Sequence, residues 1–231
     1  MRKSWWKILS VVLLIYTFTA GMLIEVPRRP ILNETIRNLF FHVCMWFGLM
    51  ILCIVSVVYA IKYLGTNKLK YDVYSREFAT MAILFGILGY ATGAIWMLFT
   101  WADPNDPSVT FGLIAREPKL IGAAIALLIY FAYLVLRDSI NDIDKKARVS
   151  AVYNIFAFAL LIPSLWILPR NLPSLHPGGS EGNPALEIKS ADPRLRMIFY
   201  PAIIGWTLLG VWITTLKIRI RFLKDKFLIN H

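Results

Sequence analysis

Six apolar runs, separated by short charged or proline-rich stretches, divide the 231-residue chain. They cover about 5–24, 39–61, 78–99, 120–136, 149–168 and 197–216. Each is close to the roughly 17–25 residues that an α-helix needs to cross a bilayer. A helix satisfies its backbone hydrogen bonds within one segment, which lipid demands. The pattern predicts an all-α polytopic membrane protein with six transmembrane helices in a single domain, 1–231. The first run follows Met1-Arg2-Lys3, a basic start shared with secretory signals. Its apolar stretch is too long for a signal core and no A-x-A site follows, so it reads as an uncleaved anchor.

Composition agrees. The chain is 58% hydrophobic with a mean hydropathy of +0.59, against about 45–50% apolar for a soluble domain. The net charge of +11 raises nucleic acid as a partner, but the basic residues lie between apolar runs and form no single patch. They set orientation instead. Sixteen Lys and Arg fall at the N-terminus, in the second and fourth loops and in the tail, against nine in the alternate loops. The positive-inside rule then places both termini in the cytoplasm. The outer loops are about 25–38, 100–119 and 169–196. The tail KIRIRFLKDKF suits contact with anionic lipid at the inner surface.

Several function classes are disfavoured. No span carries an ionisable residue near its centre, where ion-coupled transporters keep such groups. The chain has no G-x-x-x-x-G-K-[ST], no G-x-S-x-G and no H-E-x-x-H, so neither a P-loop nor a familiar hydrolytic site is expected. The reading is of a protein that is not an enzyme. Cys44 and Cys53 are nine residues apart in one run, on opposite faces of a helix. They read as packing or lipid-facing residues. There is no CxxC or CxxCH, hence no thiol-redox motif and no c-type haem attachment.

The candidate chemistry lies on the outer side. The stretch 96–120, WMLFTWADPNDPSVTFGLIAREPKL, is too rich in proline and charge to continue a membrane helix. It reads as a surface loop opened by Trp96 and Trp101. His42 stands at the outer end of the second span and His176 in the loop after the fifth, while His231 is the C-terminus. Imidazole is a good axial ligand for haem iron, and two from different segments could clamp one iron. Zinc fits less well, because a structural site takes four ligands. Phe40, Phe41, Trp46, Trp96 and Trp101 offer flat apolar surfaces, and Arg28, Arg29, Arg37, Arg116, Lys119 and Arg170 are cations able to pair with propionates. The same residues also fit an ordinary aromatic belt with snorkelling cations. From the residues alone, both an outer haem site and a membrane anchor stay open.

Three stretches, RNLFFHVCMW, IWMLFTWADP…REPKLIGAAIALLIYFAYLVLR and YNIFAFALLIPSLWILPRNLPSLHPGG, resemble the CcmC-type haem-handling proteins of bacterial cytochrome c maturation. The likeness covers nearly the whole chain. It extends to a wider group with the CcmF and CcsA types, which share a tryptophan-rich outer loop between two outer histidines. The resemblance implies that His42 and His176 are axial haem ligands. It puts Trp96, Trp101, Asp103, Pro118 and Lys119 in a haem-presenting loop, with Arg116, Arg170 and Arg37 as propionate partners. The family loop runs close to W-G-x-W-W-x-W-D-P-R-L. Here two tryptophans remain, and the Asp-Pro-Arg-Leu element aligns with Asp103-Pro104 or, in the better register, with Glu117-Pro118-Lys119-Leu120.

What the resemblance implies is a carrier in the bacterial cytoplasmic membrane. It would bind haem b at the periplasmic face and pass it to a periplasmic haem chaperone of the CcmE type. An ABC-type ATPase, permease subunits and a small membrane protein would be its partners, besides the lipid bilayer, with no nucleic acid. His42, on a helix end, would be the fixed ligand. His176, beside Pro177-Gly178-Gly179, would be the one that moves, since glycine permits unusual backbone angles. The alternatives are a bis-histidine membrane cytochrome b for electron transfer, an ABC-type permease subunit with no haem, and a haem lyase.

Overall fold

Two antiparallel helices, α2 (His42–Thr66) and α3 (Leu69–Thr100), form the centre of the bundle. The turn between them is only Asn67 and Lys68. Asn67 adopts the left-handed conformation (φ 52°, ψ 21°) and its N–H bonds to the Tyr63 carbonyl, a helix stop that asparagine tolerates. The computed structural model describes residues 4–28, 32–101, 105–167, 171–172, 176 and 192–229. Every regular element among them is helical.

The remaining elements flank this pair. Helix α1 (Trp5–Leu23) leads through a 3-10 segment (Asn33–Phe40) into α2, and α4 (Pro107–Arg116) lies between α3 and α5 (Pro118–Asp138). Helix α6 (Ile143–Ile162) runs into a π-helical turn, Pro163–Ile167, and α7 (Pro193–Ile229) closes the chain. Helix α7 packs against α2 and α3 on one side of the pair, with α1 outside it, while α5 and α6 cover the other side. Six of the helical segments are long and apolar enough to cross a membrane. Large apolar side chains such as Ile8, Val12, Ile15, Leu128 and Val135 stay exposed along them, which suits a surface facing lipid. The chain is a multi-pass membrane protein.

Lipid supplies no hydrophobic drive between helices, so close backbone approach and interhelical bonds hold such a bundle. The ring of Phe85 on α3 inserts between Gly48 of α2 and Gly210 of α7. Asn154 of α6 donates to Ser56 Oγ of α2 at 2.7 Å and to Ser75 Oγ of α3 at 3.0 Å. Cys44 and Cys53 are both buried and unpaired. They pack into separate apolar clusters, one toward α7 and one toward α3 and α5.

The helices run further than hydropathy alone indicates. Helix α3 starts at Leu69, nine residues before the apolar run at 78. Its charged first turns are held inside the protein: Asp72 bonds to Arg137 of α5 at 2.7 and 2.5 Å, and Glu77 pairs with Arg221 at 3.0 Å and Lys217 at 3.3 Å. The loop expected at 100–119 contains α4, with Pro107 as its first residue, the helical position that proline favours. The Asp106 carboxylate before it accepts from the Ser108 N–H at 2.9 Å. The loop at 25–38 contains the start of the 3-10 segment. Most of 169–196, with Pro177, Gly178 and Gly179, lies outside the described residues, as does His231.

Candidate functional site

At the end of the bundle where α2 begins, a cavity lies between α2, α3, α5 and the π-helical turn. Trp46, Trp96, Trp101 and Trp166 line it, with Met50, Met97, Leu120 and Leu165 among its other apolar members. His42, Glu117, Lys119 and His176 are among its polar members. The ring centroids of His42 and His176 lie 6.3 Å apart, with the planes inclined at 45°.

His42 is the first residue of α2 and is 6% exposed. Its Nδ1 lies 2.9 Å from the Gly89 carbonyl oxygen and 3.2 Å from Thr92 Oγ1. A carbonyl only accepts, so Nδ1 carries the proton and Nε2 keeps its lone pair. The Thr92 hydroxyl donates to the Leu88 carbonyl at 2.7 Å, which leaves its oxygen able to accept from His42 as well. Trp96 and Trp46 meet the His42 ring edge-on, at 5.8 and 6.3 Å between centroids. Trp96 is itself fixed, since its Nε1 donates to Thr35 Oγ1 of the 3-10 segment at 2.9 Å.

His176 is held differently. Trp101 packs edge-on to its ring at 6.3 Å. Lys119 Nζ lies 3.2 Å from its Nδ1 and 3.4 Å from its carbonyl oxygen. Lys119 is the second residue of α5, placed there by a helix start: Glu117 is the N-cap, its carboxylate accepts from the Lys119 N–H at 3.2 Å, and Pro118 follows it at N1. Glu-Pro-Lys is thus a capped helix N-terminus.

The predicted site residues fall into three groups. His42, His176, Trp96, Trp101 and Lys119 come together around the cavity. Pro118, Arg116 and Arg37 do not line it. Arg116 is exposed at the end of α4. Arg37 bonds to the Gly21 and Ile24 carbonyls at 2.6 and 2.9 Å and pairs with Glu34 at 2.7 Å, so its guanidinium satisfies the last carbonyls of α1. Asp103 and Arg170 lie outside the described residues, as does Arg29. Phe40 and Phe41 turn toward α1 and α7, where Phe41 meets Phe18 and Trp206. The sequence reading missed Trp166, Gly89, Thr92 and Gly93. The Gly89-x-x-x-Gly93 spacing was the available signal, since a small residue at each position lets a large ring approach the helix.

Chemically, the arrangement offers two neighbouring imidazoles lining one aromatic-walled cavity. A metal bonded at about 2.0–2.1 Å to one nitrogen of each ring puts the ring centres roughly 6 Å apart, which is the separation present. The flat indole walls suit a planar apolar ligand, and Lys119 supplies a cation at the rim for an anionic substituent. The residues present fit a bis-imidazole porphyrin site.

Among known proteins, no family model matches the chain. Over 146 residues the chain is 26% identical to cytochrome c biogenesis protein CcsA of Pelargonium hortorum, an alignment covering 63% of this chain and 42% of that protein. The chain therefore spans less than half the length of the curated relative it matches.

Proposed function

We propose that the chain binds haem b through His42 and His176 at the periplasmic face of a bacterial cytoplasmic membrane. It would then pass the haem to a periplasmic chaperone of the CcmE type for cytochrome c maturation. The observation that carries this reading is the pair of imidazoles with centroids 6.3 Å apart in a tryptophan-lined cavity. Similarity to a protein named for cytochrome c biogenesis supports the same direction. Among the described residues, Lys119, which lines the cavity, is the cation best placed for a propionate. In this role the chain is a carrier and not an enzyme. An ABC-type ATPase, permease subunits and a small membrane protein are its proposed partners.

Electron transfer is the competing use of a bis-histidine haem. Two features of the chain favour delivery. Besides this pair the 231 residues hold one further histidine, His231, so they do not themselves supply a second bis-histidine pair for relaying electrons across the membrane. The cavity also sits at one end of the bundle and not at its middle, the placement that delivery to a soluble acceptor requires. The test is to load the purified protein with haemin and mix it with a soluble CcmE-type acceptor domain. The haem spectrum should leave the membrane protein and appear on the acceptor. Haem that stays in place while exchanging electrons with a redox partner would favour the cytochrome reading.

A further inference from the structure

The two histidines are set in opposite tautomers. An ammonium donates hydrogen bonds and accepts none, so Lys119 Nζ, 3.2 Å from His176 Nδ1, makes that nitrogen the acceptor. The single proton of the neutral ring is then on Nε2. Both nitrogens are occupied, and neither presents a lone pair to a metal. His42 is the reverse, with its proton on Nδ1 toward the Gly89 carbonyl at 2.9 Å and its Nε2 lone pair available. The second Lys119 bond, 3.4 Å to the His176 carbonyl oxygen, ties the ammonium to the backbone of the same residue.

We propose that Lys119 is a latch on His176, withholding it from iron in the empty protein and releasing it by exchanging onto a carboxylate of the incoming porphyrin. The inference rests on the haem-carrier reading above. An anionic carboxylate is a stronger partner for an ammonium than a neutral imidazole is. Once Lys119 moves, Nε2 gives its proton to water and Nδ1 takes one from water. The ring charge is unchanged, and Nε2 can bind iron. Run backward, the same exchange frees His176 when haem leaves, because Lys119 returns to Nδ1. His42 needs no such step and holds iron throughout. Lys119 is therefore a positioning residue that acts through His176.

Two measurements test the latch. The first is nitrogen NMR of the empty protein labelled with 15N-histidine, with signals assigned by His42→Ala and His176→Ala. His176 is expected as the Nε2–H tautomer and His42 as the Nδ1–H tautomer, with Lys119→Met changing the His176 signals alone. The second compares haemin with its dimethyl ester, which has no free carboxylate. Wild type should give a six-coordinate spectrum with haemin and a five-coordinate one with the ester. Lys119→Met should give six-coordinate spectra with both and bind the ester about tenfold more tightly than wild type does, equivalent to about 1.4 kcal/mol. A six-coordinate ester complex in wild type, or an Nδ1–H tautomer at His176 in the empty protein, would overturn the proposal. If wild type binds neither porphyrin, the carrier reading fails and the latch falls with it, whereas a six-coordinate ester complex in wild type overturns the latch and leaves the carrier reading standing.

Discussion

Gly93 of α3 packs directly against the imidazole of His42 on α2. A Cβ at Gly93 would stand 2.5 Å from His42 Cε1 and 3.1 Å from Nδ1. The ring cannot retreat without losing the Gly89 carbonyl that fixes its tautomer. Absence of a side chain at position 93 is thus part of what sets the orientation of the His42 ring.

Gly93→Ala is predicted to displace the His42 ring. Overpacking of this kind costs typically about 1–3 kcal/mol. Haem affinity should fall by tenfold or more, with a mixed-spin spectrum replacing the six-coordinate one. Thr92→Val removes a 3.2 Å bond to the same Nδ1 but leaves the carbonyl, and its effect should be smaller. Haem titration followed by absorption checks the order of the two.

Trp96 separates packing from hydrogen bonding. Its indole touches the His42 ring and bonds to Thr35 Oγ1 at 2.9 Å. Trp96→Phe keeps an aromatic wall and loses one neutral hydrogen bond, worth about 0.5–1.5 kcal/mol. Trp96→Ala opens the wall and should cost more, with faster haem loss to apomyoglobin. Equal loss rates in the two variants would show that the indole ring does not hold the ligand.

The opposite end of the bundle gives a stability prediction that leaves the site alone. The Asp72–Arg137 pair is buried, with both residues under 10% exposed. Asp72 is 21 residues from Gly93 along α3, about 30 Å of helix. Arg137→Leu leaves an uncompensated buried carboxylate, and breaking such a pair costs roughly 3–5 kcal/mol. The double variant Asp72→Leu/Arg137→Leu should recover most of the loss. Thermal unfolding in detergent measures both, and haem ligation in the double variant should match wild type.

The bundle was legible in the sequence because its spans are marked by hydropathy alone. Their ends were not. Asp72, Arg76 and Glu77 look like loop residues until Arg137, Lys217 and Arg221 are brought beside them, and no local pattern announces partners 65 or 144 residues away. The two histidines and two tryptophans could be read as one site because unusual residue types cluster on one predicted side. The cations could not be sorted this way. Arg37 and Lys119 look equivalent in sequence, yet one closes the end of α1 and the other reaches His176. Gly89 and Gly93 carry no chemistry of their own, so their part in holding His42 appears only when α3 is laid against α2.

The most direct test of the account is the absorption spectrum of the haem-loaded protein, oxidised and reduced, for wild type, His42→Ala and His176→Ala. Wild type should show a sharp Soret band and b-type α and β bands of a six-coordinate haem. Each substitution should abolish the six-coordinate form, and His42→Ala should retain less haem than His176→Ala because His42 is the ligand held in the binding tautomer. A wild-type spectrum of unbound haem, or one left unchanged by both substitutions, would contradict the assignment of His42 and His176 as ligands.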